Sequence, residues 1–249
     1  MFVKSEFRVE LQGLADRIRE DPRLELTSFE IGSPLPEESL TEVEERLGAD
    51  LPTSLRRLYR SLSHAKLLWR FRPDLDEQTR ITVAEEFAKA VSRHNLYTTA
   101  GSIQILPLED MLFDEEYALP SLELDEGEGE DEDEDEEQFD FDGHSYPEIE
   151  FERMLRPFDL VDGFYAMAFV VQPSNEEWKM MLLNDYWASY EESRVTYLDD
   201  YLEYVIATWG LVNARAELFG EYRGDRRAPL RFDPELAAAR VPSVLSSST

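Results

Sequence analysis

The sequence predicts an α+β domain with N-terminal helices, a central antiparallel sheet and a long C-terminal helix. Two observations lead to this prediction. Apolar residues recur at helical spacing near both ends of the chain, as in Phe7, Leu11, Leu14 and Ile18. Between them, short segments rich in β-branched and aromatic residues are bounded by turn residues, a pattern typical of strands. With 249 residues, 42% of them hydrophobic, the chain is long enough to bury a core.

Residues 4–108 predict four helices and three strands. Asp21-Pro22 ends the first helix because the residue before a proline is held away from helical geometry. Gly48 follows the second helix in the place of a left-handed cap. The predicted helices are 4–20, 36–47, 51–62 and 79–96, and the predicted strands are 24–31, at the edge of a sheet, 66–71 and 102–108.

The second half of the chain predicts a β-hairpin followed by a helix. The strands are 163–171 and 178–183, joined by a turn at Pro173-Ser174-Asn175. Apolar residues then repeat at helical spacing and predict a long closing helix over 196–219. We therefore expect one domain over 1–220 and a C-terminal extension over 221–249, which contains a short helix and is partly disordered.

An acidic segment at about 123–142 interrupts the domain. Its central run, 125–137, consists of acidic residues and two glycines, with no apolar side chain. Like charges at this density repel one another and bury nothing, so the sequence predicts a solvated, disordered loop.

The charge balance limits the possible partners. There are 55 acidic and 25 basic residues, which gives a net charge of −30 and an isoelectric point near 4.3. A field of this sign repels nucleic acid and anionic membrane surfaces and attracts cationic proteins. Solubility alone is the alternative explanation of the acidity.

Localisation is suggested by the absence of cysteine and by the N-terminus. A chain without cysteine fits a reducing compartment. The first residues lack the apolar core of a signal peptide, and the longest apolar stretch, 164–171, is too short to span a bilayer. We expect a cytoplasmic protein with no membrane partner.

Patterns for catalysis and cofactors are missing from the sequence. His64, His94 and His144 share no metal-ligand spacing, and no phosphate-binding or nucleophile-elbow motif occurs. The acidic run fails as a calcium loop because Glu136 stands where the turn needs glycine. The sequence therefore predicts a protein that is not an enzyme and has no metal or other cofactor.

One stretch resembles a known family. Leu47-Gly48 is followed by Leu51-Pro52 and then by Tyr59, with Glu44 in the preceding helix. This order and spacing is similar to the entry pattern of the SUKH superfamily, which includes Smi/Knr-type regulators and bacterial toxin-immunity proteins. Looser similarity extends over roughly 30–210. The chain departs from the family at 62–65, where Asn-Gly is usual.

The resemblance implies an immunity protein that binds a toxin domain and occludes its active site. The charge argument adds that the toxin domain is basic. The expected contact residues are five carboxylates that steer the partner and three aromatic anchors, namely Asp131, Glu132, Asp133, Glu134, Asp135, Phe139, Phe141 and Tyr146. A plain solubilising role for the acidic run, a Smi/Knr-like regulatory scaffold and an acidic chaperone for basic proteins are the alternatives.

Overall fold

The structure, a computed structural model, describes residues 7–87, 99–117, 138–163, 165–172, 177–184, 193–220, 229–241 and 245. In chain order its strands are β1 (Leu24–Ile31), β2 (Ala65–Phe71), β3 (Gly101–Ile105), β4 (Gln138–Phe141), β5 (His144–Pro147), β6 (Leu155–Asp159), β7 (Ala166–Val170), β8 (Lys179–Leu183) and β9 (Val195–Tyr197). Its helices are α1 (Phe7–Glu20), α2 (Glu37–Leu47), α3 (Thr53–Tyr59), α4 (Glu77–Phe87), α5 (Leu108–Phe113), α6 (Glu148–Glu152), α7 (Leu198–Ala207), α8 (Val212–Arg215) and α9 (Pro234–Ala238). A 3₁₀ turn follows α5 at Glu115–Tyr117, and a π-helical turn follows α8 at Ala216–Gly220.

Seven strands form one antiparallel sheet in the order β1-β2-β3-β6-β7-β8-β9. The remaining strands, β4 and β5, pair with each other as a separate hairpin. This confirms the predicted α+β class and the central antiparallel sheet. The predicted edge position of β1 and the predicted hairpin of β7 and β8 are also confirmed.

Both faces of the sheet are covered along β6 to β9, because alternate residues of these strands belong to two different apolar clusters. Met167 and Phe169 join the larger cluster, with residues of α1, α2, α3 and α7. Ala166 and Ala168 join a smaller cluster, with residues of β4 and α6. The hairpin and the long helices therefore pack on opposite faces.

The motif that resembles the SUKH pattern connects α2 to α3. Gly48 adopts φ +73° and donates its backbone N–H to Glu44 O, which ends α2 as the sequence predicts. The Glu44 carboxylate accepts the backbone N–H of Leu51 at 3.0 Å and pairs with Arg56. Tyr59 is fully buried and donates its hydroxyl to Leu106 O at 2.6 Å. These residues hold the helix pair on the core.

The prediction of one continuous closing helix over 196–219 is wrong. Residues 195–197 form β9, α7 ends at Ala207, and the chain turns through Trp209 and Gly210, both with positive φ, before α8. The turn brings Gly210 O to the backbone N–H of Ser102 at 2.8 Å. Helical spacing continues across the break because the turn residues pack on the same core.

Gly210→Ala is expected to destabilise the fold by more than the roughly 1–2 kcal/mol cost of a left-handed alanine. An added Cβ at Gly210 would lie 2.9 Å from Cγ1 of Ile103, on a backbone at φ +65°. Gly48→Ala is the matched control, since φ is +73° there and no atom lies within 4 Å of the added Cβ. Urea unfolding of both variants measures the difference. Equal losses would contradict a packing role for Gly210.

Three other predicted boundaries change. The strand predicted over 102–108 ends at Ile105, because Pro107 precedes α5 and cannot donate to a ladder. The predicted disordered segment overlaps β4, which begins at Gln138; residues 123–137 lie outside the described ranges. The helix predicted over 79–96 is observed as α4, and its second half, after Phe87, also lies outside the described ranges.

Part of the expected C-terminal extension packs on the main core. Leu230 and Ala237 are buried in the larger apolar cluster. Leu230 also forms a parallel bridge with Thr196, and its backbone N–H donates to Val195 O at 2.8 Å. The short helix expected there is α9, capped by the side chain of Asp233. The described part of the extension therefore covers the outer edge of β9.

Candidate functional site

The acidic charge of this protein is concentrated in one part of the chain. From His94 to Glu152 there are 22 acidic side chains and no lysine or arginine. The described portions of this segment are β3, α5 with its 3₁₀ turn, the β4–β5 hairpin and α6. Exposed carboxylates on these elements are Glu109, Asp114, Glu115, Glu116, Asp140, Asp142 and Glu150. They stand directly before and after the central acidic run.

Many basic side chains among the described residues form ion pairs or hydrogen bonds within the protein. Arg56 and Arg60 both pair with Glu37, and hydrogen bonds from Arg60 and then Arg56 lower the pKa of that carboxyl to about 2. Arg156 donates to the carbonyl of Leu112, and burial lowers its pKa. These cations are occupied by carboxylates or carbonyls, which leaves the acidic excess facing solvent.

The five predicted steering carboxylates, Asp131 to Asp135, lie outside the described residues. Of the three predicted anchors, Phe139 and Phe141 are 9% and 5% exposed. Tyr146 is half-buried, and its hydroxyl accepts a hydrogen bond from Gln172 Nε2 at 3.2 Å. The structure thus places two of the three rings in the protein's own core, where they are not available to a partner.

The hairpin explains this burial. Phe139 and Phe141 are separated by one residue, so both point to the same face of β4, where Phe151 of α6 lies. The ring centroids of Phe139 and Phe141 are 4.3 and 5.2 Å from that of Phe151. Asp142 and Gly143, with φ of +54° and +82°, make the tight two-residue turn between the strands. The aromatic residues therefore attach an acidic hairpin to the sheet.

A serine, a histidine and a carboxylate meet near the start of β2. Ser63 Oγ lies 3.1 Å from His64 Nδ1, and His64 Nε2 lies 3.0 Å from Glu30 Oε1 of β1. The arrangement has the residue types of a hydrolase triad. Acyl transfer also requires hydrogen-bond donors for an oxyanion, and Gly32 N, the nearby amide, donates to His64 O instead. We assign these contacts to fixing β1 against β2.

A buried ion pair at the centre of the fold could not be found from the sequence. Arg215 and Asp159 are both fully buried, with Nη1 2.7 Å from Oδ2. Tyr201 donates its hydroxyl to the same carboxylate at 2.6 Å, and burial raises the pKa of Tyr201 well above its usual value. Arg215 also donates to the carbonyls of Ser102 and Gly210. The pair joins four separate segments and faces no solvent, so its role is structural.

Metal binding and membrane insertion have no support in the described part of the chain. No group of three or more histidine and carboxylate side chains is arranged there to hold a metal ion. Among the same residues, no helix combines the length and apolar character that crossing a membrane would require. The described residues form an acidic α+β protein whose exposed carboxylates lie on the elements that flank the central acidic run.

Comparison with known proteins yields no assignment, since no family model, no curated protein and no solved structure matches this chain.

Proposed function

We propose that this protein binds and neutralises a basic toxin domain, as an immunity protein of the SUKH type would. The observation that carries the proposal is the charge distribution: 22 acidic side chains and no lysine or arginine over 94–152. A basic toxin domain with a phosphate-binding active site would be attracted to this segment and covered by it. The family part of the proposal rests on the resemblance of residues 34–59 to the SUKH entry pattern.

The physical consequence of such a field is fast, salt-sensitive association. Complementary charge raises association rates well above those of neutral surfaces, and the gain disappears as ionic strength rises. The same field opposes binding of this protein to nucleic acid. An acidic inhibitor thus reaches a basic target quickly and would be repelled by a nucleic-acid substrate of that target.

The first experiment uses the full chain as bait in lysate from its own source, with washes at low and then moderate salt. The proposal expects one dominant, near-stoichiometric partner with a toxin-like basic domain, identified by mass spectrometry. A scatter of basic proteins lost as salt rises would overturn it in favour of an acidic chaperone or a regulatory scaffold.

Electrostatic steering by the acidic run is tested with two variants, each of which removes five negative charges. In the first, Asp131 to Asp135 are replaced by their amides, and the association rate with the captured partner is expected to fall about tenfold at low salt. The control neutralises five exposed carboxylates elsewhere, namely Glu38, Glu42, Glu45, Asp74 and Glu77. Equal rates for both variants, or a rate that ignores ionic strength, would contradict steering by the acidic run.

A further inference from the structure

The two edge strands of the large sheet, β9 and β1, differ in whether another described segment covers their outer side. At β9, the segment around Leu230 covers the outer edge through the bridge to Thr196. At β1, the described residues place no strand on the outer side. A groove of about 440 Å³ runs along this edge, lined by residues 24–29 together with Arg19 and Arg72.

The hydrogen bonds at both ends of β1 show which backbone groups face the open edge. Arg72 N donates to Arg23 O, and Gly32 N donates to His64 O, both at 2.9 Å. In an antiparallel ladder, hydrogen-bonded residue pairs alternate with pairs whose backbone N–H and C=O groups point away from the partner strand. With the bulge between Leu26 and Ser28, the outward-pointing residues are Leu24, Leu26, Phe29 and Ile31.

Only part of this edge is available for pairing. The Leu24 backbone is already engaged, since its N–H donates to Asp21 O and its carbonyl accepts from Arg72 Nε. The bulge at Thr27 separates Leu26 from the rest of the edge. The straight portion is therefore 28–31, where the structure shows no partner within the described residues for the outward backbone groups of Phe29 and Ile31.

Side chains along this portion set the character of a matching strand. Phe29 and Ile31 point toward the apolar cluster, so a residue directly opposite either of them shares their face. Glu30 points to the other face, where it contacts His64 Nε2 at 3.0 Å while 64% of its side chain stays exposed to a second cation. Arg19 and Arg72, which would repel a basic segment, line the groove at its 24–29 end. A strand opposite 28–31 thus meets an apolar face and a carboxylate in alternation.

We propose that the edge of β1 at 28–31 docks an extended segment of the partner in which basic and apolar side chains alternate. The added strand bonds to the backbone of Phe29 and Ile31, and its basic side chain lies beside Glu30. The basic character of the partner rests on the proposed function, whereas the position of the docking edge rests on the ladder geometry alone.

The probe is the capped hexapeptide Lys-Val-Lys-Val-Lys-Val, added to the full chain while amide hydrogen exchange is followed by NMR. Exchange at Phe29 and Ile31 is expected to slow, whereas Ser28 and Glu30, whose amides already bond to β2, are expected to change little. Unchanged exchange at Phe29 and Ile31 would overturn the proposal. So would slowing that depends on protein concentration without peptide, because the edge would then pair with a second copy.

Two N-methylated isomers of the peptide distinguish strand addition from loose charge attraction. Residues opposite Phe29 and Ile31 are the valines, so their amides face β1 and methylating them is expected to abolish binding. Methylating the lysine amides, which face solvent, is expected to leave binding intact. Equal behaviour of the two isomers would reject strand addition. Glu30→Gln should weaken the unmodified peptide by ~2–5-fold at low salt, the size of an exposed ion pair.

The peptide experiment and the pull-down can fail independently of each other. A dominant basic partner in the pull-down together with no peptide effect would place the interface elsewhere on the molecule. Peptide docking without a captured partner would support the docking edge at β1 and contradict the immunity proposal.

Discussion

Arg215→Met is expected to lower the free energy of unfolding by about 3–5 kcal/mol, because it leaves the carboxylate of Asp159 buried without its counter-charge. Both side chains are fully buried, and Asp159 also accepts the backbone N–H of Gln104 at 2.6 Å. The donors that remain, the backbone N–H of Gln104 and the hydroxyl of Tyr201, do not replace a full positive charge. Urea denaturation followed by tryptophan fluorescence measures the loss.

The double variant Arg215→Met with Asp159→Leu separates the cost of an unpaired charge from the value of the pair. Replacing both partners by apolar groups is expected to recover part of the stability, because the unpaired charge is gone but the Tyr201 hydroxyl and the carbonyls of Ser102 and Gly210 each lose a hydrogen-bond partner. Asp16→Asn is the exposed control, since Asp16 pairs with Arg19 at the surface and its loss should hardly change the midpoint. A small effect of Arg215→Met alone would show that Asp159 becomes protonated or hydrated at little cost.

Phe151→Ala is expected to cost about 3–5 kcal/mol, the usual range for deleting a buried phenylalanine ring. Phe151 is fully buried, and it is the contact that Phe139 and Phe141 share. Its removal takes away the ring that both phenylalanines of the hairpin contact in the smaller apolar cluster. The amides of β4 and β5 should therefore lose exchange protection before those of β2 and β7.

Ile149→Ala provides the control for Phe151→Ala within the same short helix. Ile149 is 43% exposed, so truncating it removes little buried surface and should leave the hairpin amides protected. If both variants lost hairpin protection equally, the helix itself, rather than the ring of Phe151, would be the support.

Most of the elements could be predicted because their signals are local. The face of α1 is a run of apolar residues at helical spacing, and Gly48 ends α2 as a left-handed cap. The break after α7 could not be predicted, since Trp209 keeps the helical spacing of buried residues through the turn. Gly210 was the available signal, and its need for a bare backbone depends on the approach of β3.

The candidate site was only partly readable from the sequence. Charge follows directly from composition, so the acidic character needed no structure. The burial of Phe139 and Phe141 depends on Phe151, which is distant along the chain from the acidic run. The alternation Phe139-Asp140-Phe141 before Asp142-Gly143 is a strand-and-turn pattern that would have indicated a hairpin. The ladder register that opens the edge of β1 has no sequence signal.

The sheet order has a consequence for the way the chain reaches its folded state. Neighbouring strands β3 and β6 are separated by the connection 106–154, which contains all 22 carboxylates counted above. Closing a loop costs entropy that grows slowly with its length. Mutual repulsion within the connection adds to that cost, and dissolved salt screens it. Salt is therefore expected to speed the closure of the sheet, whereas it would slow the proposed association with a basic partner.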